Sequence, residues 1–212
     1  MKIIGLTGSI AAGKSTVDGW IRDLGIAIHD ADAVVHELLS PHGMAVAAIL
    51  AELEPDLAGH DLGNLEKGIN RQALGNYVFA RPQARKQLES ILHPLVRQHR
   101  DAFLDKQRSI AAPAVVLDVP LLFETGGDAV CDYVIVVYAS AATTAKRALA
   151  RTGMTPAKLA GILASQMPVD AKKKWADLCL DSDLQPEAIR QDLIKWLAAM
   201  HVPMIGSDQA QS

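Results

Sequence analysis

The sequence predicts an α/β chain: five parallel strands in one sheet, with an all-helical insertion near 40–110 and a helical flap near 150–170. Three observations predict it. Short β-branched runs alternate with helical periods at the start of the chain and again after residue 112. Between 40 and 112 that rhythm stops and no convincing strand occurs. Half of the 212 residues are apolar, 21% are charged and only 4% are aromatic, a globular composition in which alanine and leucine fill a helix-rich core.

The elements follow in order. Residues 2–7 form a short apolar run ending before a glycine, which reads as a buried strand. Val17, Trp20, Ile21 and Leu24 have helical spacing over 14–24, and Gly25 closes that helix. A second strand spans 26–29, followed at once by Asp30-Ala31-Asp32 and a helix to Leu39. Helical spacing recurs over 45–53 and 71–79, with Gly59, Gly63 and Gly68 marking loops. The stretch 82–110 is long, charged and helical, with an interruption expected at Pro94. Strands return at 114–118 and 133–137, then helices at 141–151 and 155–167, a short apolar strand at 178–180 and a closing helix at 186–200. The tail after Pro203 is polar and is expected to fray.

Composition excludes several classes. A balance of 21 basic against 24 acidic residues gives −3, which argues against a nucleic-acid coat. Cys131 and Cys179 stand 48 positions apart in apolar segments, so they read as buried thiols, not as a disulfide framework or zinc site. No apolar run reaches the roughly 18 residues of a membrane span. The N-terminus is a poor signal peptide, because Thr7, Gly8 and Ser9 break its apolar stretch and Lys14 follows; the cytoplasm is the expected compartment.

Gly8-Ser-Ile-Ala-Ala-Gly13-Lys14-Ser15 fits G-x-x-x-x-G-K-[ST], between an expected strand and an expected helix. Gly13 lets the main chain approach phosphate, and the inward-pointing amides with the helix N-terminus make an anion site. Lys14 is placed to reach the β- and γ-phosphates, and Ser15 to offer its hydroxyl to Mg²⁺. This chain is therefore expected to bind a nucleoside triphosphate.

Three classes share such a loop: small-molecule kinases, GTPase switches and nucleic-acid motors. No Asn-Lys-x-Asp guanine reader occurs, and Asp118 is followed by Val-Pro-Leu in place of a switch glycine. A kinase needs an acceptor lobe and an arginine-bearing flap, which the insertion and the region 147–167 can supply. Asp32 lies 18 residues past Lys14, just beyond the second strand, at the carboxyl edge of the expected sheet. There a carboxylate can take the proton of an attacking hydroxyl. Either Asp30 or Asp32 can instead cap the next helix; Asp30 is the more natural cap and Asp32 the base. Asp118 ends an apolar strand, either as a Mg²⁺-holding acid or as a plain strand-end carboxylate. Arg147 and Arg151 share a helical face before Gly153, suited to a transferring phosphoryl or simply solvated. Lys172-Lys173-Lys174 reads as solvated surface, and His93 as a substrate contact or a packed side chain.

Together these stretches resemble the dephospho-coenzyme A kinase family. The resemblance rests on 6–16, Asp30-Ala31-Asp32, Asn70-Arg71-Gln72-Ala73-Leu74, Val78-Phe79 and Leu88 to Pro94. It continues through Asp118-Val-Pro-Leu-Leu-Phe-Glu124, Arg147 to Arg151, Ser165 to Pro168 and Ala176-Asp177. It implies a three-layer P-loop kinase core (1–39, 111–146 and 176–202), a helical substrate lobe (40–110) and a lid (147–175). The implied reaction is ATP-dependent phosphorylation of the ribose 3′-hydroxyl of dephospho-coenzyme A, the alternative being another small-molecule P-loop kinase. Gly8, Ala11, Ala12, Gly13, Lys14, Ser15 and Thr16, with Arg147 and Arg151, would hold ATP. Asp32, Lys14 and Arg147 would be catalytic. Asp32, Arg71, His93, Pro120, Leu121 and Glu124 would meet the acceptor, and Ser15 and Asp118 the Mg²⁺. No nucleic acid or membrane partner is implied, and the chain would be a monomer or weak homo-oligomer. It departs from the family at Ser9 and Ala11, where glycine is usual, at Gly161, where an arginine is usual, and at Asp181-Ser182-Asp183, where an asparagine is common. Altered ATP affinity is the expected consequence.

Overall fold

The computed structural model describes residues 1–53, 61–79 and 81–205. The chain divides into two compact units, Met1–His29 with Gln107–Ser212, and Asp30–Lys106. The helix after the second strand, counted with the sheet in the sequence reading, clusters with the insertion.

The first unit is built on a five-stranded sheet of β1 (Lys2–Gly8), β2 (Ala27–Asp30), β5 (Ala114–Asp118), β6 (Tyr133–Tyr138) and β7 (Leu178–Asp181), in the order β2-β5-β1-β6-β7. β1 runs parallel to β5 and β6, and β6 to β7. β5 is buried along its whole length and β1 beyond its first residue, which explains their unbroken apolar reading. Leu6 pairs with Asp118 and Gly8 with Val137, so the carboxyl ends of β1, β5 and β6 lie side by side where the strand order reverses. Ligands bind at such switch points.

Helix α1 (Lys14–Asp23) buries Val17 and Ile21. It stops because Gly25 takes φ 80° and donates its amide to Arg22 O, a left-handed end that glycine adopts without strain. After the strands come α6 (Ala141–Leu149), α7 (Pro156–Ser165), α8 (Val169–Lys173) and α9 (Pro186–Ala199). α9 buries Ile189, Leu193 and Leu197 at four-residue spacing against Ile4, Leu6, Ile135 and Val137, with Trp196 edge-on to Tyr133 at 5.9 Å. The expected fraying after Pro203 does not begin there. Val202 is buried and the Ile205 amide donates to Leu24 O at 3.0 Å, so apolar anchors hold the chain to that point; the rest of the tail lies outside the described residues.

The second unit holds α2 (Ala31–Leu38), α3 (Val46–Leu53), α4 (Arg71–Phe79) and α5 (Pro82–Ser109) around its own core of Val34, Leu38, Ile49, Leu53, Leu74 and Leu92. Two expectations fail here. The insertion is not all helix: β3 (Gly63–Asn64) and β4 (Gly68–Ile69) form an antiparallel pair. Asn64 Oδ1 accepts from the amides of Glu66 and Lys67, a side-chain turn whose two-residue arms are too short to show an alternating pattern. The helix around Pro94 is also uninterrupted over 28 residues. Pro94 and Ser90 are both exposed, so the carbonyl that loses its donor lies on the solvent side. The turn expected at Gly59 lies outside the described residues.

Neither cysteine is buried. Cys131 is half-buried and Cys179 exposed, because Cys179 points outward from β7, the edge strand.

Candidate active site

The phosphate loop leaves β1 at Gly8, where a Cβ would run into the Val137 carbonyl of the neighbouring strand. Only glycine fits that approach. Gly13 has φ 92° and precedes α1, which opens with no side-chain cap, leaving first-turn N–H groups for a ligand. Ala11 takes φ 56°, a left-handed conformation that costs an L-residue roughly 1–2 kcal/mol. Its methyl is held in a small cluster with Ala148 of α6 and Leu159 of α7, joined by Ile10 and Met154. The loop is thus packed directly against α6 and α7, and the Ile10 amide donates to Gln166 Oε1 at 3.1 Å.

Lys14 Nζ forms an ion pair with Asp118 Oδ1 at the end of β5. Asp118 is 3% exposed, whereas Ser15 and Thr16 lie open to solvent. The groups assigned to metal are therefore a hydroxyl and a carboxylate. Among the described residues no cluster of three or more metal-binding side chains exists. Such a donor set suits Mg²⁺, which keeps several waters and takes its other ligands from substrate phosphates.

Arg147, on α6, donates through Nη1 to Ser182 Oγ at 2.8 Å and through Nη2 to Ser182 O at 3.0 Å. A methyl on Gly13 would lie 3.3 Å from Ser182 Cβ and 3.8 Å from Arg147 Nη1, so this arginine sits at the mouth of the loop. Asp183 accepts the Ser140 amide at 2.8 Å at the start of α6. Hydrogen bonds from Ser140 first, then Thr143, with the nearby Arg147 charge, hold the Asp183 carboxyl below the usual carboxylate range. Asp181-Ser182-Asp183 thus ties β7 to α6 and aims the arginine. Arg151 is exposed near Gly153.

Lys172 was misread from sequence as solvated surface. Lys172 is not solvated: it is fully buried, with Nζ 2.9 Å from Glu124 Oε1 and 3.3 Å from Pro120 O. It sits three residues after Val169 on α8, on the face turned to the sheet. Glu124, in an otherwise apolar loop, was the signal that a cation had to be nearby. Lys173 lies over the Tyr138 ring at 3.4 Å, and burial followed by the Asp181 charge pushes the Tyr138 hydroxyl pKa up. Ser182 and Gln166 stood in stretches already singled out but received no role of their own, since lone polar residues carry no spacing pattern.

In the helical unit, Asp30 Oδ1 accepts the Ala33 amide at 3.0 Å and is the cap of α2. Asp32 stands exposed in the first turn of that helix. Arg71 Nη1 donates to His36 Nδ1 at 2.8 Å, one turn along from Asp32, and His93 is exposed on α5. A cavity of about 400 Å³ opens among Val34, Leu38, Pro41, Met44, Leu95 and His99. Asp32, Arg71 and His93 do not line it.

A sequence model of the dephospho-CoA kinase family matches residues 2–187. The chain is 51% identical over 184 residues to a dephospho-CoA kinase of Rhodospirillum rubrum, covering 87% of this chain and 84% of that one. It is 49% identical over 175 residues to one from Paramagnetospirillum magneticum, covering 82% and 78%. The solved dephospho-CoA kinase from Campylobacter jejuni superposes with a TM-score of 0.68 at 28% identity, covering 94% of this chain and 98% of that one. With a family model spanning 2–187 and a relative 51% identical over most of both chains, this protein belongs to the dephospho-CoA kinase family.

Proposed function

We infer that this chain transfers the γ-phosphoryl group of ATP to the ribose 3′-hydroxyl of dephospho-CoA, giving CoA and ADP. Family membership gives the substrates, and one observation carries the chemistry. A lysine at the mouth of an uncapped helix N-terminus is held in reserve by a buried aspartate.

In this reading the triphosphate lies along the amides of 11–16, and Lys14 moves from Asp118 to the β- and γ-phosphates. Ser15 and Asp118 would hold Mg²⁺, which would neutralise developing phosphate charge. Asp32 accepts the proton of the 3′-hydroxyl as its oxygen attacks Pγ in line, and the bond from Pγ to the β–γ bridging oxygen breaks. Arg147 and Arg151 spread the charge on the transferring group. Arg71, His93, Pro120 and Leu121 meet the acceptor. Glu124 joins that set only where the acceptor uncovers its carboxylate, because Oε1 already serves Met167 and Lys172 and Oε2 is buried.

Incubation with Mg-ATP and dephospho-CoA, followed by chromatography, is expected to show CoA forming in step with ADP. Turnover of another nucleoside or nucleotide with none of dephospho-CoA would assign a different small-molecule kinase. Among the described residues no helix is long and apolar enough to cross a membrane.

A further inference from the structure

Lys172 has no role in the reaction outlined above, yet it is the largest fully buried side chain among the described residues. One loop meets its ammonium at two points, and two further segments bond to the same acceptors. Pro120, from the loop after β5, offers its carbonyl, which also accepts the Thr7 hydroxyl at 3.0 Å from the end of β1. Glu124, at the far end of the same loop, offers Oε1, which also accepts the Met167 amide at 2.7 Å where the chain leaves the flap. Glu124 Oε2 is buried with no hydrogen-bond partner among the described residues.

Burying an ammonium and a carboxylate costs several kcal/mol each, and apolar replacements of similar volume often match or exceed such a pair in stability. Packing alone therefore gives little reason for a pair at this place. Its position gives one: Pro120 is two residues from Asp118, the group that holds Lys14.

We propose that Lys172 is a positioning residue for phosphoryl transfer. It fixes the 119–124 loop between the end of β1 and the base of the flap, so that Asp118 and Lys14 stand in register with the bound phosphates. Misplacing reacting groups by about 1 Å can cost on the order of 10²-fold in rate. The inference rests on the kinase reading, but part of its test does not.

The test uses the full chain with K172M and with the double variant E124Q/K172M. The single variant strands a buried carboxylate and can unfold; the double variant removes both charges at nearly constant shape. For the double variant we expect kcat at least tenfold below wild type with KM for ATP within threefold. Amide exchange without nucleotide should quicken in peptides covering 119–126 and 163–173 and stay unchanged in β1 and β6. A kcat within twofold of wild type, or exchange quickened evenly across the sheet, would overturn the proposal and leave the pair a structural one. If wild type ignores dephospho-CoA but phosphorylates another acceptor, the substrate reading falls, and the same comparison with that acceptor still decides the role of Lys172.

Discussion

At the scale of single residues, two aspartates two positions apart stand in different settings. Asp30 spends its carboxylate on the Ala33 amide, and Asp32 is left exposed in the first turn of α2. Replacing Asp32 with Asn should lower kcat by about 10² or more while ATP affinity, measured by calorimetry, stays within twofold. Unchanged turnover would make Asp32 dispensable. Ala11 gives a second prediction. Glycine there would relieve roughly 1–2 kcal/mol of left-handed strain. It would also lose a buried methyl worth about 0.8 kcal/mol and add backbone entropy to the unfolded chain worth about 0.4–1 kcal/mol. These terms nearly cancel, so A11G should unfold in urea within about 1 kcal/mol of wild type. A11V, with a β-branched side chain forced into φ 56°, should lose clearly more. The place of Asp32 just beyond the second strand was legible, because its distance from Lys14 can be counted. The partner of Lys172 was not, because a buried ion pair between positions 48 apart leaves no periodic trace.

At the scale of elements, long amphipathic helices and buried strands were readable, and short or irregular pieces were not. α4 was expected over 71–79 and spans Arg71–Phe79, because its apolar positions repeat over more than two turns. The β3–β4 pair has two residues per arm and owes its existence to the Asn64 turn, below the length at which alternation can be seen. Pro94 misled for the opposite reason: a strong local signal was overridden by the packing of Leu92 and Leu104 on either side. Pro94→Ala should therefore raise stability by about 1–3 kcal/mol in denaturant titration, since proline costs about 3 kcal/mol in a helix interior. The start of α6 adds a pH prediction. Asp183 is held below its ordinary pKa, so its stabilising bonds are present above the unfolded value near 4 and are lost as pH falls through the folded one. Tyr138 is pushed up, so stability is complete below pH about 10 and falls as pH rises past it. Thermal melts of D183N should show a flatter acid limb below pH about 4 than wild type. Y138F should show a flatter alkaline limb.

At the scale of the whole molecule, each compact unit has its own apolar cluster, one around α9 and the sheet, the other around α3 and α5. Only the first carries the phosphate loop. A nucleotide that binds only the folded chain at 100 times its Kd stabilises by about 2.7 kcal/mol. ATP should therefore slow amide exchange in the first unit, and an equal effect across both units would show that they open together. The resting charge balance of this unit also decides which anions can settle there. Lys14 is already matched, so a lone sulfate or monophosphate gains its attraction only by drawing the lysine off the buried Asp118 carboxylate, at a cost of several kcal/mol. A longer polyanion reaches the loop amides and the lysine in one binding event and can meet that cost. The empty enzyme thus filters its visitors by valence before it tests their shape.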